Sequence, residues 1–87
     1  MTEYIIFYNS NKNAKVEVDI LEGCLEHDKY STLYGWFIYD RYNTRRKAKN
    51  KLALLRQATH VIVRNPTNEV GKFVLLRVTK EIELLDS

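Results

Sequence analysis

Eighty-seven residues with a single cysteine, Cys24, bound the protein to one domain spanning residues 1–87 and exclude an intrachain disulfide. An apolar fraction of 45% excludes a disordered chain, and no apolar run approaches the length of a membrane span. The net charge of +3 hides an uneven distribution. From Arg41 to Asn68 there are eight basic residues and no acidic one, whereas residues 1–40 carry three Lys against seven Asp/Glu and residues 69–87 carry three basic against four acidic side chains. A stripe of like charge repels itself, and its natural partner is a polyanion. The start Met1-Thr2-Glu3-Tyr4 lacks the features of a secretion signal. Together with the lone cysteine, this gives the expectation of a cytoplasmic protein without membrane contact.

In chain order, Tyr4 to Tyr8 is short, aromatic and β-branched and predicts a strand. Asn9 to Asn13 predicts a polar turn. Lys15 to Leu21 alternates, with Val16, Val18 and Ile20 against Lys15, Glu17 and Asp19, which predicts a second strand hairpinned to the first. Glu22 to Thr32 has no clear period and is expected to be a loop. Leu33 to Tyr42 predicts a strand. Thr44 is a suitable N-cap for a helix of Lys, Arg, Ala and Leu, whose Ala48, Leu52, Leu55 and Thr59 recur at helical spacing. Thr59 to Arg64 predicts a strand, Asn65-Pro66-Thr67-Asn68 a turn and Gly71 to Thr79 the returning strand. Residues 81 to 85 continue in strand character, with Asp86 and Ser87 expected to fray. The order β-β-β-α-β-β implies a two-layer α+β domain, one helix on an antiparallel sheet of about four to five strands.

The helix breaks a local rule. Its first turn, Arg45-Arg46-Lys47, sets cations at the positive end of the helix dipole, and Lys47 occupies the capping-box position where Glu or Gln is usual. Such violations without structural gain tend to mark function. The candidate polyanion-binding residues are therefore Arg41, Arg45, Arg46, Lys47, Lys49, Lys51, Arg56 and Arg64. Arg41 and Arg64 flank the helix. Tyr34, Trp36, Phe37, Tyr39 and Tyr42 precede it. Either both sheet faces are covered and these rings enlarge the core, or one face stays open and its rings stack on unpaired bases. Tyr39 and Tyr42, flanking Arg41, are the candidate platforms.

Signals for catalysis are absent. One Cys and two His cannot supply the paired ligands of a zinc site, and Gly23, Gly35 and Gly71 are too isolated to cradle a phosphate. Cofactor, metal and catalytic residues are all expected to be none, and the protein is expected not to be an enzyme.

Trp36 followed by Tyr42-Asn43-Thr44-Arg45-Arg46-Lys47-Ala48 resembles the amino-terminal arm-binding domains of phage integrases and their plant relatives, which bind DNA through a three-stranded sheet. In size and charge pattern the chain is similar to the small early proteins of large virulent tailed phages. Among these are RNA-binding factors that inhibit ribonuclease toxins of the ToxIN type. The second resemblance implies the host cytoplasm as location, RNA as ligand and a host ribonuclease or toxin as partner. The expectation from the stripe and this likeness is RNA binding of low sequence preference, with the RNA single-stranded or structured. The alternatives are a DNA-binding regulator or recombination accessory, and a protein-only inhibitor of an acidic host protein. A homodimer is a reasonable way to enlarge so small a core.

Overall fold

The computed structural model describes residues 1–26, 34–57 and 71–86. Its elements are β1 (Glu3–Asn9), α1 (Val18–Glu26), β2 (Trp36–Tyr42), α2 (Arg45–Gln57), β3 (Lys72–Val78) and β4 (Ile82–Asp86). The four strands form one antiparallel sheet in the order β2-β1-β3-β4, so the chain is an α+β domain, as expected. Because β2 and β3 both run antiparallel to β1, they are parallel to each other, and α2 is the crossover between them.

β1 takes the centre because four successive residues, Ile5, Ile6, Phe7 and Tyr8, are all buried. Alternate side chains of a strand point to opposite faces, so burying all four requires a cover on each side. Ile5 and Phe7 join Leu21, Cys24, Trp36, Val74 and Leu76 beneath α1. Ile6 and Tyr8 join Ala48, Leu52, Leu55, Phe73 and Leu75 beneath α2. The sheet therefore lies between two helices, in three layers rather than the expected two.

The extra helix replaces an expected strand. Lys15 to Leu21 is not the arm of a hairpin with β1. From Val18 the chain is helical, and β1 pairs with β2 and β3 instead. The alternation of Val16, Val18 and Ile20 is also an i, i+4 pattern for its outer members. Extended to Leu21, Cys24 and Leu25, the apolar set follows a helical period, with Leu21 and Cys24 buried. The expected strand over 59–64 and its turn lie outside the described residues.

Two irregularities decide which way charged side chains point. In the β1–β2 ladder Ile6 faces Asp40 and Phe7 faces Ile38, so Tyr39 is an extra residue. Beyond it Asp40 and Tyr42 project on the α2 side, and Arg41 projects on the α1 side with Ile5. In the β3–β4 ladder Leu75 faces Asp86 and Leu76 faces Leu84, which leaves Leu85 extra and turns Asp86 toward α2. Asp86 does not fray; it is the last residue of β4.

The chain before β3 is fixed against β1. Gly71 N–H donates to the Tyr8 hydroxyl at 3.1 Å. A Cβ at Gly71 would stand 2.0 Å from the Asn9 carbonyl oxygen and 2.8 Å from Ser10 Cα, both backbone atoms that cannot swing aside. Gly71→Ala is thus expected to destabilise the protein by about 3 kcal/mol or more. In urea unfolding the midpoint should fall with little change in slope; an unchanged midpoint would show that this approach is not needed.

Candidate nucleic-acid interface

α2 starts where Thr44 ends β2's exit. The Thr44 Oγ1 accepts the Lys47 N–H at 3.3 Å and its carbonyl accepts the Ala48 N–H at 3.3 Å, which makes Thr44 the N-cap. Ala48, Leu52 and Leu55 are buried on the sheet. Burial stabilises by roughly 1.5–3 kcal/mol for each Leu. That exceeds the roughly 1 kcal/mol lost to the cationic first turn and the Lys47–Lys51 like-charge pair. Packing, not local electrostatics, holds the helix.

Three cations of the stripe are answered by the protein's own carboxylates. Arg56 Nη1 lies 2.8 Å from Asp86 Oδ1 and Lys49 Nζ 3.7 Å from Asp86 Oδ2. Arg56 Nη2 also donates to the Phe73 carbonyl at 2.9 Å. Arg41 Nη1 is 2.7 Å from Glu3 Oε1, on the α1 side of the sheet. In contrast Arg45, Arg46 and Lys47 are exposed and Lys51 is half-buried, and none of the four has a carboxylate partner among the described residues. Arg64 lies outside the described residues.

Two pairs occupy different flanks. At about 100° per residue, Lys47 and Lys51 stand roughly half a turn round the axis from Lys49 and Arg56. The latter reach Asp86 on β4, so Lys47 and Lys51 stand on the β2 flank, while Arg46 points outward and Arg45, one turn before Lys49, shares the β4 flank. Leu54, 65% exposed, lies on the same flank as Lys47 and Lys51, about one turn beyond Lys51.

The tyrosines serve mainly the core under α2. Tyr39 is half-buried, its ring edge-on to Phe73 at 5.4 Å and to Tyr8 at 6.5 Å. Tyr42 is half-buried and donates its hydroxyl to Asp40 Oδ2 at 2.8 Å. Among the described residues the exposed ring is Tyr34, at 79%, and not the expected platforms Tyr39 and Tyr42. With φ of 53° at Tyr34 and 85° at Gly35, the pair turns the chain into β2 at the end remote from Arg45. Asp86 was passed over, because its role depends on the β4 bulge rather than on any local pattern.

No group of three His, Cys, Asp or Glu among the described residues is placed to hold a metal. Cys24 is buried and donates to the Trp36 carbonyl at 3.1 Å. No helix among the described residues is long and apolar enough to cross a membrane. No known protein family matches the chain, and no curated protein or solved structure is significantly similar to it.

Burial, then the hydrogen bond and charge of Asp40, push the Tyr42 hydroxyl from its ordinary 10.0 up to about 12. The fold prefers the protonated phenol, so this contribution is complete below pH 10 and is lost as pH rises toward 12. An ultraviolet phenolate titration should therefore show a late step from Tyr42 that disappears in Tyr42→Phe and moves earlier in Asp40→Asn. If Asp40→Asn leaves the late step in place, the Asp40 contact is not a cause.

Proposed function

We propose that the protein is a non-enzymatic RNA-binding module that seats the sugar-phosphate backbone on the first two turns of α2. The observation that carries this reading is the set Arg45, Arg46, Lys47 and Lys51: exposed or half-exposed, on one helix, with no carboxylate partner among the described residues. Their placement opposes the helix dipole, so local stability does not explain them. Lys49 and Arg56 form a second rank, which can reach phosphate once Asp86 releases them. Arg41, paired to Glu3 on the α1 side, lies away from this surface.

A lone helix favours a flexible strand over duplex DNA. The helix-turn-helix arrangement needs a second helix beside the reader, and α1 lies across the sheet from α2. A sheet reader of the integrase arm-binding type needs an open face, and here a helix covers each face. With Tyr39 and Tyr42 engaged in the core, phosphate contacts dominate, and these fix position without reading sequence. A host ribonuclease toxin reached through bound RNA, in the manner of the early phage factors, extends this proposal and rests on size and charge pattern.

The test is a salt titration of a fluorescent single-stranded RNA oligomer in dilute protein. Four phosphate contacts give a slope of log K against log salt of about −3. Arg45→Ala/Arg46→Ala/Lys47→Ala should lower affinity at least tenfold and flatten the slope to about −1. The same variant should melt no lower than the parent, because each cation it removes opposes the helix dipole. Undiminished affinity in it rejects the surface, and preference for duplex DNA of equal length favours the regulator reading.

Asp86→Asn provides an opposite sign. Freeing Lys49 and Arg56 should tighten RNA binding and steepen the slope by about 1.4, two phosphates at 0.7 each. The loss in stability should be within about 1 kcal/mol, since these pairs are partly exposed. Weaker binding in this variant would show that Asp86 orients the two cations instead of competing with the ligand.

A further inference from the structure

α1 is the electrostatic counterpart of α2. Its Asp19, Glu22 and Glu26 are exposed, its span contains no cation, and none of the three has an ion-pair partner among the described residues. The nearby Glu17, by contrast, is held by Lys15 at 2.8 Å. At about 100° per residue the three carboxylates share one sector, opposite buried Leu21 and Cys24. Gly23, half-buried, lies at the edge of this sector beside Asp19 and Glu26, where the missing side chain leaves a flat spot. On α2 the matching place is a projection, exposed Leu54, with Lys51 and Lys47 one and two turns before it on the same flank.

The helix dipoles sharpen the match. Glu26 stands in the last turn of α1, at the negative end of its dipole, with no basic residue there. Arg45, Arg46 and Lys47 stand at the positive end of α2. At these two ends each helix carries a charge its own dipole disfavours, whereas Asp19 and Arg56 stand at the ends that favour them; the two misplaced charges are opposite in sign. They cannot neutralise each other within one molecule. The sheet separates the helices, each about 10 Å thick, so their outer faces lie well beyond the Debye length of about 8 Å.

We infer that this chain self-associates head to tail, the outer face of α1 in one copy docking on the outer face of α2 in the next. Leu54 seats beside Gly23, and Lys51 and Lys47, one and two turns before it along α2, meet Asp19 and Glu22. Because the two faces point to opposite sides of the sheet, the contact is heterologous and propagates as an open stack. It is not a closed two-fold pair.

Sedimentation and light scattering of nucleic-acid-free protein test this. At low ionic strength the apparent mass should rise with protein concentration beyond a dimer, and it should return to monomer as salt is added. Asp19→Lys/Glu22→Lys/Glu26→Lys makes both faces positive, and Arg46→Glu/Lys47→Glu/Lys51→Glu makes both negative. Each variant should remain monomeric alone, with circular dichroism like the parent, and an equimolar mixture should associate. Leu54→Ala, at an exposed position that leaves the core intact, should weaken association at least tenfold. A protein monomeric at high concentration and low salt, a mixture that stays dispersed, or a Leu54→Ala protein that stacks as well as the parent would overturn the inference. No RNA enters these measurements, so their failure leaves the RNA reading standing.

Discussion

Burial of β1 on both faces is the constraint from which the rest follows. Ile5, Ile6, Phe7 and Tyr8 have no wet side, so the sheet must be covered twice, and among the described residues one helix serves each cover. Each of these side chains stabilises the fold by roughly 1.5–3 kcal/mol on burial. Against that sum, the few tenths of a kcal/mol lost at each misplaced helix charge are minor. A helix held from beneath by Ala48, Leu52 and Leu55 is free to carry an outer surface that would not sustain it in isolation.

The same central strand separates the charges. With α1 above β1 and α2 below, the acidic face of α1 and the basic face of α2 end on opposite sides of the sheet, farther apart than a Debye length. What neutralisation the stripe's cations do find is set by two one-residue bulges. At Tyr39 the β2 bulge sends Arg41 to Glu3 on the α1 side; at Leu85 the β4 bulge sends Asp86 to Lys49 and Arg56 on the α2 side. Without the second bulge Asp86 would face α1, and the β4 flank of α2 would be as open as the β2 flank. A stripe continuous in sequence is therefore one-sided in space.

The parts legible in the sequence are those fixed by local pattern. β1, β2 and β4, the Thr44 cap, the buried face of α2 and the turn after Asn9 each follow from residues within a few positions of one another. α1 is not legible locally: six residues of alternation from Lys15 to Ile20 satisfy a two-residue period, while the helical period emerges only with Leu21, Cys24 and Leu25 included. The cation set was legible as composition but not as a site. Whether Lys49 is open depends on Asp86, thirty-seven residues away, and on the β4 bulge that aims it. The tyrosines follow the same logic. Alternation placed Phe37 and Tyr39 on one face, but only the position of α2 over Tyr8 and Phe73 shows that this face is covered.

On the two proposals together, α2 has one outer face and two anionic occupants. Asp19, Glu22 and Glu26 set three carboxylates along seven residue steps of helix, about 10 Å, a short imitation of a phosphate row. The imitation is incomplete in a way that decides the competition. A polynucleotide carries a condensed counterion atmosphere whose release drives binding, and three carboxylates on a small domain do not. RNA should therefore displace a neighbouring copy, and a stack persists only where RNA is scarce. Since only the copy at one end of a stack has a free α2, association would also limit how many chains present the surface at once.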